Sequence, residues 1–216
     1  MNLEIAGRPI TLLPEKAILL EDGTLVVADL HLGKATAFQA RGLAIPEGDS
    51  AADLQRLAHL AAACGATRIL VNGDLFHSPA GLTPAIENLL TNWLEDLPIP
   101  VQLVLGNHDS KLPRIPHGLH PTGMVECCGI RIVHDPAEAS HEIPSITAHW
   151  HPFARITDGK RTALRLPCFL LRHGLNLVLP AFGTFTGGQI LAVEEDDRYF
   201  VAPAGKIIEV PLDLIR

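Results

Sequence analysis

The chain lacks what would place it in a membrane, a secretory route or a disordered state. No apolar run reaches the ~20 residues of a membrane helix. The N-terminus, Met1-Asn2-Leu3-Glu4, has neither the basic start nor the apolar stretch of a secretory signal. Cysteine is sparse: Cys64, Cys127, Cys128 and Cys168, with no C-x-x-C spacing. The adjacent Cys127-Cys128 pair suits a disulfide poorly, so all four read as reduced thiols of a cytoplasmic protein, with packing favoured over metal ligation. Charged residues make up only 19% against 47% hydrophobic, which excludes disorder. Repeats, low-complexity tracts and linkers are also missing, and 216 residues suffice for one domain, 1–216, with a substantial core.

Positive charge is in deficit too, with a formal net charge of −7. An acidic surface repels phosphates. The stretch 155–172 runs against the trend, with Arg155, Lys160, Arg161, Arg165 and Arg172 facing the single acid Asp158. It reads as a solvated hairpin face, with a phosphate-steering rim as the functional alternative.

What the chain does have is an ordered alternation. Apolar segments at 10–13, 17–20 and 25–28 predict strands, with a hairpin turn at Glu21-Asp22-Gly23. Leu54, Leu57, Ala58 and Ala61 recur at helical spacing, which predicts a helix over 50–64 capped by Ser50 and ended by Gly65. A buried strand at 69–71 follows, then a helix opened by Thr83-Pro84 and running to about 95, then a strand at 101–105. Strand–helix–strand–helix–strand implies parallel pairing through crossovers. Beyond Asn107 the texture turns β-rich, with strands predicted at 130–133, 146–148, 168–171, 175–179, 190–193, 199–202 and 207–210. These would form a second sheet packed on the first.

Five fragments stand at the ends of such apolar runs: Asp29-Leu30-His31, Gly73-Asp74, Gly106-Asn107-His108-Asp109, His134, and Ala148-His149-Trp150-His151-Pro152. Side chains at the ends of neighbouring parallel strands can converge on one point. Their carboxylate, imidazole and amide-oxygen donors suit Mn²⁺, Fe²⁺ or Zn²⁺ rather than Ca²⁺, and the absence of clustered cysteine disfavours a structural zinc site. A carboxylate such as Asp74 can bridge two cations ~3.5–4 Å apart, the spacing that clamps attacking and leaving oxygens in phosphoryl displacement. Glycine at 73 and 106 lets the backbone turn sharply there.

In this order the fragments resemble the calcineurin-like metallophosphoesterase superfamily. The strings Ala28-Asp29-Leu30-His31-Leu32-Gly33-Lys34-Ala35, Gly73-Asp74-Leu75-Phe76-His77-Ser78 and Pro180-Ala181-Phe182-Gly183-Thr184-Phe185-Thr186-Gly187-Gly188 are similar to its bacterial ligase-associated DNA-damage-response endonuclease branch. The resemblance implies a four-layer αββα fold, two packed mixed sheets flanked by helices, around two divalent metal ions. Manganese is foremost, with iron, zinc or nickel as alternatives. It also implies one metal held by Asp29, His31, Asp74 and His151, and a second by Asp74, Asn107, His134 and His149, with a hydroxide between them as nucleophile. His108 would touch the phosphate and protonate the leaving oxygen, and Asp109 would orient its imidazole. Two departures are visible: Ala148 stands where the family has glycine, and the fourth motif reads His134-Asp135-Pro136. His120 and His141 compete with His134 for that role.

The implied activity is phosphodiester hydrolysis, with DNA or RNA as substrate and a repair ligase or helicase as candidate partner. A phosphomonoesterase or nucleotide phosphatase is the alternative, and a non-catalytic scaffold a remote one. A protein phosphatase is disfavoured because residues 73–78 lack the arginine of that subgroup's string. His77 stays open between loop packing and a substrate contact. His59, His117, His120, His141 and His173 read as surface residues, as do Lys34 and Arg41. The 182–188 segment reads as a tight inter-strand connection, while the branch resemblance implies a glycine-rich turn near the site.

Overall fold

A computed structural model of the chain describes residues 1–46, 49–157 and 163–216. Four strands open it as antiparallel hairpins: β1 (Asn2–Ile5), β2 (Arg8–Leu13), β3 (Ala17–Leu20) and β4 (Thr24–Val27). The first was not predicted, because four residues with two apolar positions give no periodic signal. Next come α1 (Lys34–Gln39), α2 (Asp49–Cys64), β5 (Arg68–Asn72), α3 (Pro84–Asp96), β6 (Val101–Val104) and β7 (His120–Thr122). Strands β4 to β7 pair in parallel, and the seven strands lie in sequence order.

Helix α2 buries Leu54, Leu57, Leu60 and Ala61, and Gly65 (φ 66°) closes it as the Ala66 amide returns to the Ala61 carbonyl at 2.9 Å. It begins one residue before the predicted start. Ser50 lies inside its first turn, where the hydroxyl accepts from the Gly33 amide at 2.9 Å instead of capping the helix. Thr83 does cap α3, accepting from the Ile86 amide at 3.4 Å with Pro84 in the first turn.

The second sheet comprises β8 (Val125–Cys127), β9 (Ile130–Ile132), β10 (Ser145–Thr147), β11 (Phe153–Thr157), β12 (Ala163–Arg172), β13 (Asn176–Val178), β14 (Arg198–Val201) and β15 (Ile208–Val210). Its order is β15-β14-β12-β13-β10-β9-β8, with β11 hairpinned onto β12. Strands β9, β10 and β13 run parallel. The strand predicted at 190–193 does not form. Ile190 and Val193 are 44% and 40% exposed, and only Gln189 makes a bridge, to Pro152.

Successive residues of β4 point to opposite faces, and both faces are covered. Val26 joins Ile5, Leu12, Leu70, Ile130, Ile146 and Phe169 between the sheets. Leu25 and Val27 join Leu54, Leu57 and Leu90 under the helices. The two-sheet α/β architecture is thus as expected. Outside the second sheet, Leu170, Val178 and Tyr199 are covered by Leu212 and Leu214 of a 3-10 turn (Leu212–Leu214).

Candidate metal centre

The chain leaves β4 through Asp29 and His31, β5 through Asp74, β6 through Asn107 and His108, β9 through His134, and β10 through His149 and His151. These exits are laced together. The Asp29 amide donates to the Gly73 carbonyl and the His31 amide to the Asp74 carbonyl, both at 3.0 Å. The Ala148 amide donates to the His134 carbonyl at 2.9 Å. Asp29, His31, Asp74, His149 and His151 have φ of 56°, 53°, 50°, 66° and 45°. That is half of the non-glycine residues with left-handed backbone among the described residues, which marks the cluster as backbone strained for a purpose. Ala148 is not among them, so its Cβ meets no conformational objection where the family has glycine.

Two donor groups that contain a carboxylate result, beside a third made of His31, His77 and His108. Asp29, His31 and His151 offer ligand atoms within 4.8 Å of one another, and so do Asp74, His134 and His149. Asp74 Oδ2 lies 3.4 Å from His134 Nε2 and 3.9 Å from His108 Nε2, while Asp74 Oδ1 accepts from the His108 amide at 2.8 Å. Asp29 Oδ1 approaches His151 Nε2 at 3.0 Å and His134 Nε2 at 3.9 Å. The outer nitrogens are fixed by carbonyls: His134 Nδ1 on Asn72 O at 2.8 Å and His151 Nδ1 on Gly187 O at 3.2 Å. A Cβ on Gly73 would collide with the His134 ring, and one on Gly106 with the Asp74 carboxylate. Asn107 is exposed between Gly106 and His108.

Buried polar atoms normally find partners, and leaving one unpaired costs roughly 1–3 kcal/mol. Here Asp29 Oδ1, His31 Nδ1, His134 Nε2 and His151 Nε2 are buried without a hydrogen bond. Oxygen and imidazole lone pairs orphaned around shared space fit divalent cations. Burial, opposed by Asp74, drives the His31 imidazole down to about 2. Burial also opposes the other two shifts: Asp74 and Asp29 still raise His134 to about 9, and His134 and His108 hold Asp74 at about 2.

Of the competing histidines, His134 is 4% exposed in the cluster, whereas His120 and His141 are exposed elsewhere, as are His59, His117 and His173. His108 Nδ1 meets the His77 carbonyl, and the two rings stack with centroids 5.3 Å apart. His77 thus belongs to the site, with its pKa lowered to about 4 by burial and the nearby cations of Lys34, His108 and Arg41.

Asp109 does not orient the His108 ring. It is 1% exposed, and its carboxylate accepts from the amides of Phe76 at 3.0 Å, Gly106 at 3.1 Å and Leu75 at 3.4 Å. Three backbone donors occupy it, so it braces one motif loop against another. Burial, opposed by those bonds, raises its pKa to about 6.

The sequence did not reveal the support behind the 182–188 segment. Buried Asp53 of α2 accepts from the Thr184 amide at 2.8 Å, and Arg56 donates to the Phe182 carbonyl at 2.6 Å. The Gly183 amide in turn donates to the Asp29 carbonyl at 3.2 Å. The segment is therefore a wall of the site rather than a plain connection. Phe185 meets Phe38 at 6.0 Å, and Phe38 meets His77 at 5.6 Å. A charged Asp53 beside the apolar stripe of α2 was the available signal.

The basic stretch divides. Arg172 is tied to Asp197 at 2.8 Å and Glu194 at 2.9 Å, so it is no phosphate rim. Arg165 donates to the Gly188 carbonyl and lies 4.7 Å over Phe153, while Arg155 is exposed opposite it on β11. Asp158, Lys160 and Arg161 lie outside the described residues.

Such a fold with such a donor cluster defines a metallophosphoesterase. The chain belongs to the calcineurin-like phosphoesterase family, whose model matches residues 24–179. Among solved structures, Pseudomonas putida nuclease MPE is similar over 96% of this chain and 99% of its own, at 27% identity and a TM-score of 0.78. Yfce, a phosphoesterase from E. coli, aligns over 87% of this chain and 97% of its own at 16% identity and a TM-score of 0.41. No curated protein matches the chain.

Proposed function

We propose that this phosphoester hydrolase is a phosphodiesterase acting on nucleic acid, a nuclease with a role in DNA repair. Asp29, His31, Asp74 and His151 would hold one divalent cation, and Asp74, Asn107, His134 and His149 a second, manganese being the favoured metal. The observation that carries this reading is the pair of donor triads with Asp74 and Asp29 each reaching His134 from its own side. The similarity to a nuclease over nearly the whole of both chains supports it. Bound cations would supply Lewis acidity, lowering the pKa of water and neutralising phosphoryl oxygens.

The chain's own residues do the rest. His108 Nδ1 faces the His77 carbonyl, which can only accept, so Nδ1 carries a hydrogen and Nε2 is the atom free to serve substrate. With its Nε2 3.9 Å from Asp74 Oδ2, inside the cluster, His108 would hand a proton from Nε2 to the leaving oxygen. The wall formed by Phe38 and Phe185 would exclude water from one side. The test is hydrolysis of bis-p-nitrophenyl phosphate against p-nitrophenyl phosphate by the Mn²⁺-loaded protein, with His108→Ala as control. Diester cleavage well above monoester cleavage, lost by about 10²–10⁴-fold in the variant, is expected. Monoester preference would instead favour a nucleotide phosphatase, and inactivity with both metals bound a scaffold.

A further inference from the structure

The opposite end of the molecule carries a second, chemically different donor cluster. Asp22 lies in the β3–β4 turn of the first sheet, before β4 begins. Cys127 ends β8 and Cys128 opens the β8–β9 turn of the second sheet, with φ of 53°. The catalytic donors follow the far ends of β4 and β9, so this cluster sits at the other edge of the sandwich. Asp22, Cys127 and Cys128 place their ligand atoms within 4.8 Å of one another.

We propose that Asp22, Cys127 and Cys128 form a site for a thiophilic divalent cation of the zinc class, pinning the two sheets together away from the catalytic centre. The two Sγ atoms are 3.7 Å apart. Two thiolates on one tetrahedral ion with Zn–S bonds of about 2.3 Å lie about 3.8 Å apart, so the pair is already at ligating distance. Cys127 Sγ donates to Asp22 Oδ2 at 3.1 Å, which brings the carboxylate oxygen to the same point. All four cysteines are free thiols, so no disulfide competes.

Charge also closes. Two thiolates and one carboxylate exceed a dication by one negative charge, and Arg68 supplies the balancing cation. Its Nη2 lies 3.1 Å from both Cys127 Sγ and Asp22 Oδ2, while its Nε is fixed on Thr24 Oγ1 at 2.7 Å. On binding, the two thiol protons leave to solvent and the two sulfur lone pairs go to the ion. Cys127 is 6% exposed and Cys128 half-buried, which shields the sulfurs, while the partly exposed Asp22 leaves an entry. The fourth position is left to water.

The probe is Co²⁺, added under reducing conditions to protein held in excess Mn²⁺ to occupy the oxygen- and nitrogen-rich centre. A sulfur-to-cobalt charge-transfer band in the near ultraviolet reports thiolate ligation and nothing else. One saturable band per chain is expected, with Cys127 and Cys128 protected from thiol reagents. Cys127→Ser and Cys128→Ser should each abolish it, and Asp22→Asn should weaken binding at least tenfold, all with wild-type circular dichroism. Cys128 lies in a turn, so its variant remains informative if Cys127→Ser fails to fold. Absence of the band in the wild-type protein, or its survival in Cys128→Ser, would overturn the assignment.

Discussion

At the scale of single residues, the site separates donors from braces. Asp74 reaches His134 through one oxygen and the His108 amide through the other, so Asp74→Asn should strip bound metal from both groups, read by metal analysis after gel filtration. Asp109→Asn probes the opposite role. An amide offers one accepting oxygen where three amides now donate, so stability should fall by about 1–3 kcal/mol in denaturant melts. His108→Ala should cost only about 0.5–1.5 kcal/mol in the same melts, the worth of the one bond between its Nδ1 and the His77 carbonyl. The convergence of these side chains was legible in the sequence because short motifs at strand ends carry their own spacing. The role of Asp109 was not, because its partner Phe76 lies 33 residues away and is a backbone amide, invisible in any side-chain pattern.

At the scale of elements, α2 does more than cover the first sheet. Through Asp53 and Arg56 it holds the 182–188 wall, and Lys16 from the β2–β3 turn reaches the Gly183 carbonyl at 3.4 Å. Burial, aided by Arg56 and opposed by Asp53, lowers the Lys16 pKa from 10.5 to about 8. The unfolded chain therefore binds the extra proton between those values, so this residue makes stability rise with pH from about 8 to 10.5. Lys16→Met should remove that rise, seen as the difference between the two proteins' denaturant midpoints across the window. Helix α2 was legible from its leucines to within a residue at its start. Ser50 was misread as its cap because a hydroxyl at a helix start serves equally well as an acceptor for a neighbouring loop, here Gly33. The strand expected at 190–193 failed for a related reason: apolar residues without alternation do not choose a face, and none of these four pairs with a strand among the described residues.

At the scale of the whole molecule, the parallel core was legible because buried strands β4, β5 and β6 are continuous apolar runs separated by helices. Strands β7, β8 and β11 were not, since three to five residues with mixed polarity gain their strand character only from neighbours. On the nucleic-acid reading proposed above, a chain of net charge −7 would meet its substrate through local positive charge. Among the described residues of the 155–172 stretch, Arg155 and Arg165 are the candidates for it, since Arg172 is paired with Asp197. Replacing both with Gln should flatten the dependence of log affinity for DNA on log salt by roughly 0.7–0.9 for each phosphate no longer neutralised. Fluorescence anisotropy across a salt series checks it, and an unchanged slope would leave the β11–β12 hairpin as a solvated face.

The left-handed donors have a consequence for how such a centre decays. Each of Asp29, His31, Asp74, His149 and His151 holds a backbone shape that costs an L-residue about 1–2 kcal/mol. In a gene copy no longer selected for hydrolysis, glycine at His31, His149 or His151 would relieve that cost, whereas at Asp29 and Asp74 it would strand the His149 and His108 amides that their carboxylates accept. Loss of the histidine donors is then downhill for the fold, and glycine accumulating at these three positions would be its signature in a lineage.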